Sequence, residues 1–364
     1  MQEFRSDVVG SLLRPVYLKD AYQNLASDEI NSRDYKVLED RSVDAAVDLQ
    51  IRCGVEVVTD GEMRREHFFS HVADSFDGFD RYGGWTLSFR DETGEETVVE
   101  RPVVVGKLKR KRFLCAEEFT YMRAKTTLPI KATMPNVQQL ASWYDVNKSK
   151  DAYPNVEAYL ADVVDLMRED VTELVRVGCQ YIQFDAPQYA ALLDPILREG
   201  YRQRGMDPDR ILDIAIERDN AIISDFLDSN VLFALHICRG NARSKFYASG
   251  GYDPIAGKVF RNLHHHRFLL EYDDARSGSF EPLSQVPEEK TVVLGLVSTK
   301  KPALENRELL KGRIQEATNF IPLERLALSP QCGFASAFEG NLISEADQEA
   351  KLRLVAETAR EIWG

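Results

Sequence analysis

The stretch Val231-Leu-Phe-Ala-Leu-His-Ile-Cys238 decides how the rest of the sequence is interpreted. It is almost continuously apolar, which is typical of a parallel strand that is covered on both faces. Seven other short apolar runs, rich in β-branched residues, alternate with longer amphipathic stretches along the chain. The eight predicted strands cover residues 7–10, 55–59, 128–133, 181–185, 231–238, 267–271, 292–297 and 326–329. Eight alternating units of this kind predict an α/β protein with the (β/α)8 TIM-barrel fold.

The stretches between the predicted strands carry clear helix signals. Apolar residues recur at helical spacing over 155–177, and Ser344 is a favourable N-cap for the last helix. Gly54 and Gly178 each follow a helical pattern just before a predicted strand, where a left-handed cap is expected. These signals support the alternation of helices with strands.

One segment breaks this alternation. About 65 residues separate the second predicted strand from the third. Within this segment, residues 85–90 and 97–106 flank a polar turn and predict a β-hairpin. We therefore expect one catalytic barrel over residues 1–364, with an insertion at about 63–127 above the mouth of the barrel.

The charge of the chain narrows the classes of partner. Its 364 residues include 46 Lys and Arg against 59 Asp and Glu, a net charge of −13, which disfavours binding to nucleic acid or an anionic membrane. A transmembrane helix would need about 20 consecutive apolar residues, and the sequence has no such run. The first 15 residues lack a signal-peptide core, so we expect a cytoplasmic protein with reduced thiols. Of its five cysteines, Cys53, Cys115 and Cys179 are interpreted as packing residues.

Residues with metal-binding side chains lie at the ends of three predicted strands. His236 and Cys238 end the fifth strand, and side chains at i and i+2 share one face of a strand, so both can reach one ion. Glu271 ends the sixth strand and Cys332 follows the eighth. In a barrel these positions share the C-terminal rim, where active sites lie. The set suits tetrahedral Zn²⁺, although each residue is also common as an ordinary buried or capping residue.

Four short motifs surround these residues in a fixed order. They are Val9-Gly10-Ser11, Asp60-Gly61-Glu62, Phe184-Asp185-Ala186-Pro187 and Ser329-Pro-Gln-Cys332-Gly333. With His236-x-Cys238 and Glu271, they resemble the cobalamin-independent methionine synthases, whose counterparts are Ile-Gly-Ser, His-Gly-Glu, Asp-Glu-Pro and Asn-Pro-Asp-Cys-Gly. The resemblance is to the catalytic C-terminal barrel of these enzymes and implies a short, single-barrel member of the family.

The resemblance implies a role for each motif. The implied zinc ligands are His236, Cys238, Glu271 and Cys332. The amine of homocysteine would contact Glu62 and Asp185, and its carboxylate would meet the backbone and hydroxyl at Gly10 and Ser11. Two carboxylates suit an ammonium group, and a Gly-Ser turn offers amide donors. Asp185 is equally suited to be a helix N-cap before Pro187.

A zinc centre with this ligand set has a characteristic chemistry. Two thiolates and one carboxylate outweigh the charge of the ion, which disfavours the activation of water as hydroxide. The centre still binds a thiol, lowers its pKa and holds it as a nucleophilic thiolate. We therefore predict a zinc-dependent S-methyltransferase that converts homocysteine to methionine.

The methyl donor is less closely defined by the sequence. Trp85 and Arg101 lie in the insertion, where the family binds folate, and are candidate donor-binding residues. The family's Ile-His-Ser on the seventh strand is replaced by Val297-Ser-Thr299, so no general acid is assigned. The expected donor is 5-methyltetrahydrofolate, as a polyglutamate, or a methylcorrinoid. The basic run over 107–112 is either a solvated edge of the insertion or an attractant for an anionic substrate tail.

Two alternatives stay open at this point. In the first, the zinc site alkylates another thiol, such as a coenzyme M-like thiol, or uses another methyl donor. In the second, which is of a different class, the chain is a non-catalytic, metal-free barrel whose cysteines are merely buried. For the enzymatic hypotheses the expected partners are small molecules, a thiol and a methyl donor. The sequence predicts no oligomeric state.

Overall fold

A six-stranded parallel sheet forms the centre of the structure, a computed structural model that describes residues 3–364. The strands are β1 (Phe76–Asp80), β2 (Thr86–Arg90), β3 (Glu96–Glu100), β4 (Val103–Arg110), β5 (Ala132–Pro135), β6 (Tyr181–Asp185), β7 (Leu232–Ile237), β8 (Arg267–Glu271), β9 (Thr291–Val297) and β10 (Leu326–Pro330). The parallel sheet has the order β10-β9-β8-β7-β6-β5, so neighbouring strands are also successive in the chain. The carboxyl ends of all six strands therefore lie at one edge.

Helices precede the parallel sheet in the chain and connect its strands. They are α1 (Val16–Ala26), α2 (Ser32–Cys53), α3 (Ser70–Ser75), α4 (Ala116–Arg123), α5 (Val137–Ala141), α6 (Val146–Ser149), α7 (Val156–Arg176), α8 (Tyr189–Leu193), α9 (Pro195–Gln203), α10 (Pro208–Ala221), α11 (Asp253–Asn262), α12 (Arg307–Ala317) and α13 (Glu345–Trp363). The predicted helix over 155–177 is confirmed as α7, and Ser344 caps α13 with Asp347 in a capping box. Within residues 3–364, none of the helices combines the length and apolar character needed to cross a membrane.

Six of the eight predicted strands coincide with β5 to β10. Five match closely, and the third moves from 128–133 to Ala132–Pro135. The residues before Ala132 pair only through a single parallel bridge between Val58 and Ile130, so they do not form a regular ladder. The sequence pattern therefore locates the strands of the parallel sheet correctly but misplaces one boundary.

The first two predicted strands, 7–10 and 55–59, are not regular strands, and the prediction is wrong there. The first segment contributes one parallel bridge, from Ser6 to Leu328 of β10. Side-chain hydrogen bonds take the place of a backbone ladder between the two segments. The Glu56 carboxylate accepts a hydrogen bond from the Ser6 N–H at 2.8 Å, and the Ser6 hydroxyl accepts one from the Glu56 N–H at 3.1 Å.

Apolar side chains cover both faces of the sheet. The outer cluster packs alternate residues of β5 to β10 against α5, α7 and α10 to α13. An inner cluster consists of Phe4, Val9, Val57, Tyr181, Leu232, Ala234, Leu269, Val293 and Ala327. Its members come from residues 4–11 and 55–62, which are the first and second bridging segments, and from β6 to β10. These segments and the sheet therefore share one interior. Alternation along β7 places Leu232 and Ala234 inside, and by the same parity His236.

A buried ionic network ties the first bridging segment to this interior. The Asp7 carboxylate accepts hydrogen bonds from Lys131 Nζ at 2.8 Å and from the Tyr181 hydroxyl at 2.6 Å. Arg267 Nε lies 3.6 Å from the same carboxylate, and Lys131 Nζ also donates to Gln183 Oε1 at 2.6 Å. Burial raises the pKa of Asp7, but the charges of Lys131 and Arg267 reverse this effect and lower it. The network thus holds Asp7 as a carboxylate inside the protein.

Two antiparallel strand pairs follow the second bridging segment. Strand β1 pairs with β4, and β2 pairs with β3 as a hairpin over residues 86–100. The hairpin rests on the loop after β7: the N–H of Arg90 donates to the Phe246 carbonyl at 2.7 Å, and Lys245 forms an ion pair with Glu95 at 2.7 Å. These contacts hold the hairpin over the carboxyl-terminal edge of the parallel sheet.

The basic run over 107–112 lies on β4 and in the turn that follows it. Arg110 contacts Asp170 of α7 at 2.8 Å, and Arg112 contacts Glu118 of α4 at 3.1 Å. Lys107 lies 3.4 Å from Asp162, also on α7. Because neighbouring carboxylates already pair with these three cations, the run fits the edge-strand interpretation.

Candidate metal centre and its chamber

Three side chains with metal-binding atoms meet at the carboxyl ends of β7 and β10. His236 is the second-last residue of β7, Cys238 directly follows that strand, and Cys332 follows β10 by two residues. One ligand atom of each residue lies within 4.8 Å of those of the other two, and all three residues are buried. Strands β7 and β10, from distant parts of the chain, thus bring together three of the four residues predicted as zinc ligands.

The ring of His236 is oriented as in a metal ligand. Its Nδ1 lies 3.2 Å from the carbonyl oxygen of Leu269, which only accepts, so Nδ1 is the protonated nitrogen of the neutral ring. The other nitrogen, Nε2, is buried and has no hydrogen-bond partner in residues 3–364. The Cys238 thiol and the nearby His236 lower the pKa of the Cys332 thiol, against the effect of burial. A free imidazole nitrogen beside one readily ionised cysteine, Cys332, and a second thiol, Cys238, fits a metal ion that prefers nitrogen and sulfur.

Glu271, the fourth predicted ligand, is fully buried but lies outside this group of three. Its Oε2 accepts a hydrogen bond from the Arg239 N–H at 2.6 Å, and its Oε1 lies 3.3 Å from Lys300 Nζ and 3.6 Å from Arg276. The carboxylate is thus held by the protein itself at the end of β8. Its role as a metal ligand stays a prediction.

The three residues line a small chamber of about 60 Å³. Its roof is apolar, because the β2–β3 hairpin contributes Leu87, Phe89 and Val99. Phe89 is further fixed by an edge-on contact with Tyr247, whose ring centroid is 5.6 Å away. This roof places apolar groups over the chamber, which strengthens any electrostatic interaction inside it.

The predicted substrate-binding residues Gly10 and Ser11 line the same chamber. A Cβ atom at position 10 would lie 2.6 Å from Glu62 Oε1, so only glycine allows that carboxylate to approach the backbone. A Cβ atom at Gly333 would overlap the Ser11 hydroxyl, and the Phe334 N–H donates to the Ser11 carbonyl at 2.7 Å. The first bridging segment is therefore packed closely against the loop that carries Cys332.

The two predicted ammonium-binding carboxylates are also in the chamber. Glu62 has a left-handed backbone with φ of 55°, and its Oε1 accepts from Thr133 Oγ1 at 2.9 Å and contacts Arg65 at 3.2 Å. Its Oε2 is buried without a hydrogen-bond partner in residues 3–364. Burial raises the pKa of Glu62 to about 7, and burial raises that of Asp185 to about 6. Asp185 Oδ1 accepts from Gln183 Nε2 at 2.8 Å, so each carboxylate is supported by a neighbour on one side.

Comparison with known proteins assigns this chain to a family. Residues 4–349 match the protein family described as the catalytic domain of cobalamin-independent synthase. The chain belongs to this family. Its resemblance to the cobalamin-independent methionine synthases, inferred from the ordered motifs, is thereby confirmed, and it is a member of a family of methyltransferases.

Individual relatives cover nearly the whole chain. It is 35% identical to the uncharacterized protein YxjH of Bacillus subtilis in an alignment 364 residues long. This alignment covers 99% of this chain and 95% of YxjH. It is 25% identical to a methionine synthase of Pyrococcus abyssi over 333 residues, 90% of this chain and 85% of that protein. The crystal structure of a putative vitamin-B12 independent methionine synthase from Listeria monocytogenes has a TM-score of 0.77 and 25% identity, covering 100% of this chain and 99% of that one.

The structure separates the two candidate donor-binding residues of this family member. Arg101 lines the chamber, beside the hairpin. Trp85 is 61% exposed and is not among the lining residues, so the structure does not bring it to the metal centre. Leu87 and Phe89, further along the same hairpin, occupy the roof instead.

Sequence reasoning missed several residues of the chamber. Gln139 follows β5 just as Asp185 ends β6, so the rule that barrel sites lie at strand carboxyl ends would have found it. Tyr247 carries no such signal, because its place depends on how the loop after β7 folds back over the sheet. Asn241, three residues after Cys238, donates to the Gly333 carbonyl at 2.7 Å and joins the loops after β7 and β10.

Proposed function

We propose that this family member transfers a methyl group to the thiol of homocysteine in a zinc-dependent reaction that yields methionine. The observation that supports it most is the unpartnered Nε2 of His236 beside Cys238 and Cys332 in a chamber with an apolar roof. Zinc bound there would supply a thiol-binding centre that keeps the substrate sulfur as a thiolate. Structural zinc sites usually take their ligands from local loops, whereas these come from distant strands.

The residues of the chain then position the substrate. We assign the amine of homocysteine to Glu62 and Asp185, and its carboxylate to the amides and hydroxyl of Gly10 and Ser11. The apolar roof excludes water, so these contacts are stronger and fewer protons reach the sulfur. Glu271 is the fourth proposed ligand. When its carboxylate does not bind the ion, the Arg239 N–H, Lys300 and Arg276 would hold it in place.

The size of the chamber bears on the methyl donor. At about 60 Å³ it is far smaller than the roughly 300–1,000 Å³ of sites for larger ligands. We therefore expect a donor as large as 5-methyltetrahydrofolate or a methylcorrinoid to reach the sulfur only when the β2–β3 hairpin moves away. In this proposal the chain is one catalytic unit, with β5 to β10 and the two bridging segments closing a (β/α)8 barrel.

Zinc-loaded protein is expected to form methionine from homocysteine with at least one donor. The assay follows methionine by mass spectrometry with 5-methyltetrahydrofolate, its triglutamate and methylcobalamin in parallel. Chelation of the metal should abolish the product, and added Zn²⁺ should restore it, because the thiol needs the ion to ionise at neutral pH. Methylation of another thiol in place of homocysteine would establish the alternative acceptor. The absence of product with every thiol and donor would contradict the proposal.

Asp185→Asn is expected to raise the KM for homocysteine by about 10- to 100-fold, since a hydrogen bond to a charged group contributes about 1.5–3 kcal/mol. The amide keeps the shape of the side chain but loses the charge that pairs with the substrate ammonium. A binding titration with 4-mercaptobutanoate, which lacks the amine, is the control and should give equal affinity for both proteins. Zinc content is measured for both, because Asp185 pairs with His236 in the sheet register. An unchanged KM would remove Asp185 from the substrate site.

A further inference from the structure

Arg101 is a buried cation without a counter-ion. Its side chain lines the chamber, and the residue is 9% exposed. Within residues 3–364 no carboxylate lies within 4.0 Å of its guanidinium, and its side chain makes one hydrogen bond, from Nη1 to Ser142 Oγ at 3.1 Å. A buried guanidinium is normally paired, because desolvation of an unpaired charge is costly. The remaining N–H groups of Arg101 are therefore free for a ligand.

Gln139 is a second unsatisfied group in the same chamber. The residue is 1% exposed, and neither its Oε1 nor its Nε2 has a hydrogen-bond partner in residues 3–364. Buried amides nearly always find partners, so an orphaned one in a binding chamber indicates that its partner is the ligand. Its backbone is fixed independently, since the Gln139 N–H donates to the Asn136 side chain at 3.0 Å.

One hydroxyl connects these two residues. Ser142 Oγ accepts from Arg101 and donates to the backbone carbonyl of Gln139 at 2.9 Å, so the guanidinium is anchored to the helix that carries the amide. The neighbouring roof is formed by Leu87, Phe89 and Val99. In such apolar surroundings a charge-assisted hydrogen bond is stronger than at an exposed site.

We propose that Arg101 and Gln139 form a carboxylate-binding subsite in the wall of the chamber. The planar guanidinium would pair with one carboxylate through its free N–H groups, and the Gln139 amide would donate a further hydrogen bond. This inference rests on the proposed function and deepens it, because it requires that one of the two substrates carries a carboxylate into the chamber. That carboxylate belongs either to the methyl donor or to the thiol, and in the second case Arg101 and Gln139 would share it with the donors of Gly10 and Ser11.

Binding to the zinc-loaded protein tests the subsite and distinguishes these sources. Arg101→Met is expected to lower the affinity for the carboxylate-bearing substrate at least about tenfold, the effect of one hydrogen bond to a charged group. If the thiol provides the carboxylate, homocysteine loses affinity while 3-aminopropane-1-thiol, which lacks that group, does not. If the donor provides it, 5-methyltetrahydrofolate loses affinity while homocysteine does not. Arg101→Lys should restore part of the loss, because it keeps the charge.

A second measurement separates a ligand site from a structural role. In the absence of substrates, Arg101→Met and Gln139→Leu are expected to leave the melting temperature unchanged or raise it, because the first removes a buried charge without a counter-ion and the second an unsatisfied buried amide. Arg198→Met is the matched control: this residue is also 9% exposed, but it pairs with Asp209 at 2.8 Å, so its variant should melt lower. A melting temperature that falls equally in all three variants would overturn the inference.

Failure of the subsite is distinguishable from failure of the proposed function. If the wild-type protein, Arg101→Met and Gln139→Leu all bind homocysteine with the same affinity, and all bind the donor with the same affinity, the subsite is overturned and the proposed function is left intact. Wild-type protein that binds neither substrate contradicts the proposed function. The subsite is then tested with small mono- and dicarboxylates, and equal affinity in wild type and Arg101→Met overturns it as well.

Discussion

Cys332→Ser is expected to lower the affinity for zinc by more than the roughly 10- to 100-fold that loss of an outer-sphere partner costs, and to remove measurable methionine formation. A serine hydroxyl is a harder ligand than a thiolate and is not ionised at neutral pH, so the site loses both a soft donor and a negative charge. Metal content after dialysis against a zinc buffer, measured by mass spectrometry, gives the first readout. Methionine formation gives the second.

The other cysteines provide the controls for this experiment. Cys53 and Cys179 are as buried as Cys332, but neither is in the group of three metal-binding side chains. The Cys179 thiol donates a hydrogen bond to the backbone carbonyl of Tyr181 at 3.3 Å, as is typical of a packing residue. Cys53→Ser and Cys179→Ser should therefore retain one zinc per chain. Full zinc occupancy in Cys332→Ser would show that Cys332 is not a ligand.

The sequence predicts correctly that His236, Cys238 and Cys332 meet, because two kinds of information coincide there. His236 and Cys238 are two residues apart on an apolar strand, so their common direction is a local property of the backbone. Cys332 joins them because parallel strands share a carboxyl-terminal edge, a property of the fold class. The state of Glu271 is not predictable in this way, since its contact with Lys300 depends on how the loop after β9 folds back.

The chamber wall shows the opposite case. Gln139 and Arg101 are far apart in the sequence, and neither belongs to a motif that requires the other. The contact of the segment after β3 with the end of α5, through Ser142, brings them into one chamber. The first two predicted strands fail for a related reason. Their apolar pattern is that of a strand, but the side chains of Ser6 and Glu56 each accept a hydrogen bond from the backbone N–H of the other residue. Hydrophobic periodicity does not predict such side-chain bonds.

Lys131→Met is expected to lower the free energy of unfolding by about 3–5 kcal/mol, the usual cost of leaving one partner of a buried ion pair alone. Lys131 and Asp7 are both fully buried, and their atoms are 2.8 Å apart. Methionine fills a similar volume, so the effect reports the loss of the closer of the two cations that compensate Asp7, with Arg267 left at 3.6 Å, and not a cavity. Urea unfolding followed by circular dichroism measures it.

Lys125→Met is the matched control for the loss of a lysine. Its ion pair with Asp44 is 2.9 Å long but solvent-exposed, so the expected change is at most about 1 kcal/mol. The double variant Asp7→Asn/Lys131→Met should recover part of the lost stability, because it also removes the stranded charge. Equal effects of Lys131→Met and Lys125→Met would contradict the role given to the buried network.

The pH dependence of the same variant tests which charge is responsible. In the wild-type protein the pKa of Asp7 is lowered, so its contribution to stability is present above the unfolded-state pKa of about 3.9 and is lost as the pH falls through the folded-state value. Without Lys131 the buried carboxyl instead favours its protonated form, which acid supplies. The stability difference between wild type and Lys131→Met should therefore shrink as the pH is lowered from 7 toward 4. A difference that stays constant over this range would mean that the methionine acts by altered packing, since packing, unlike the charge of Asp7, does not respond to protons.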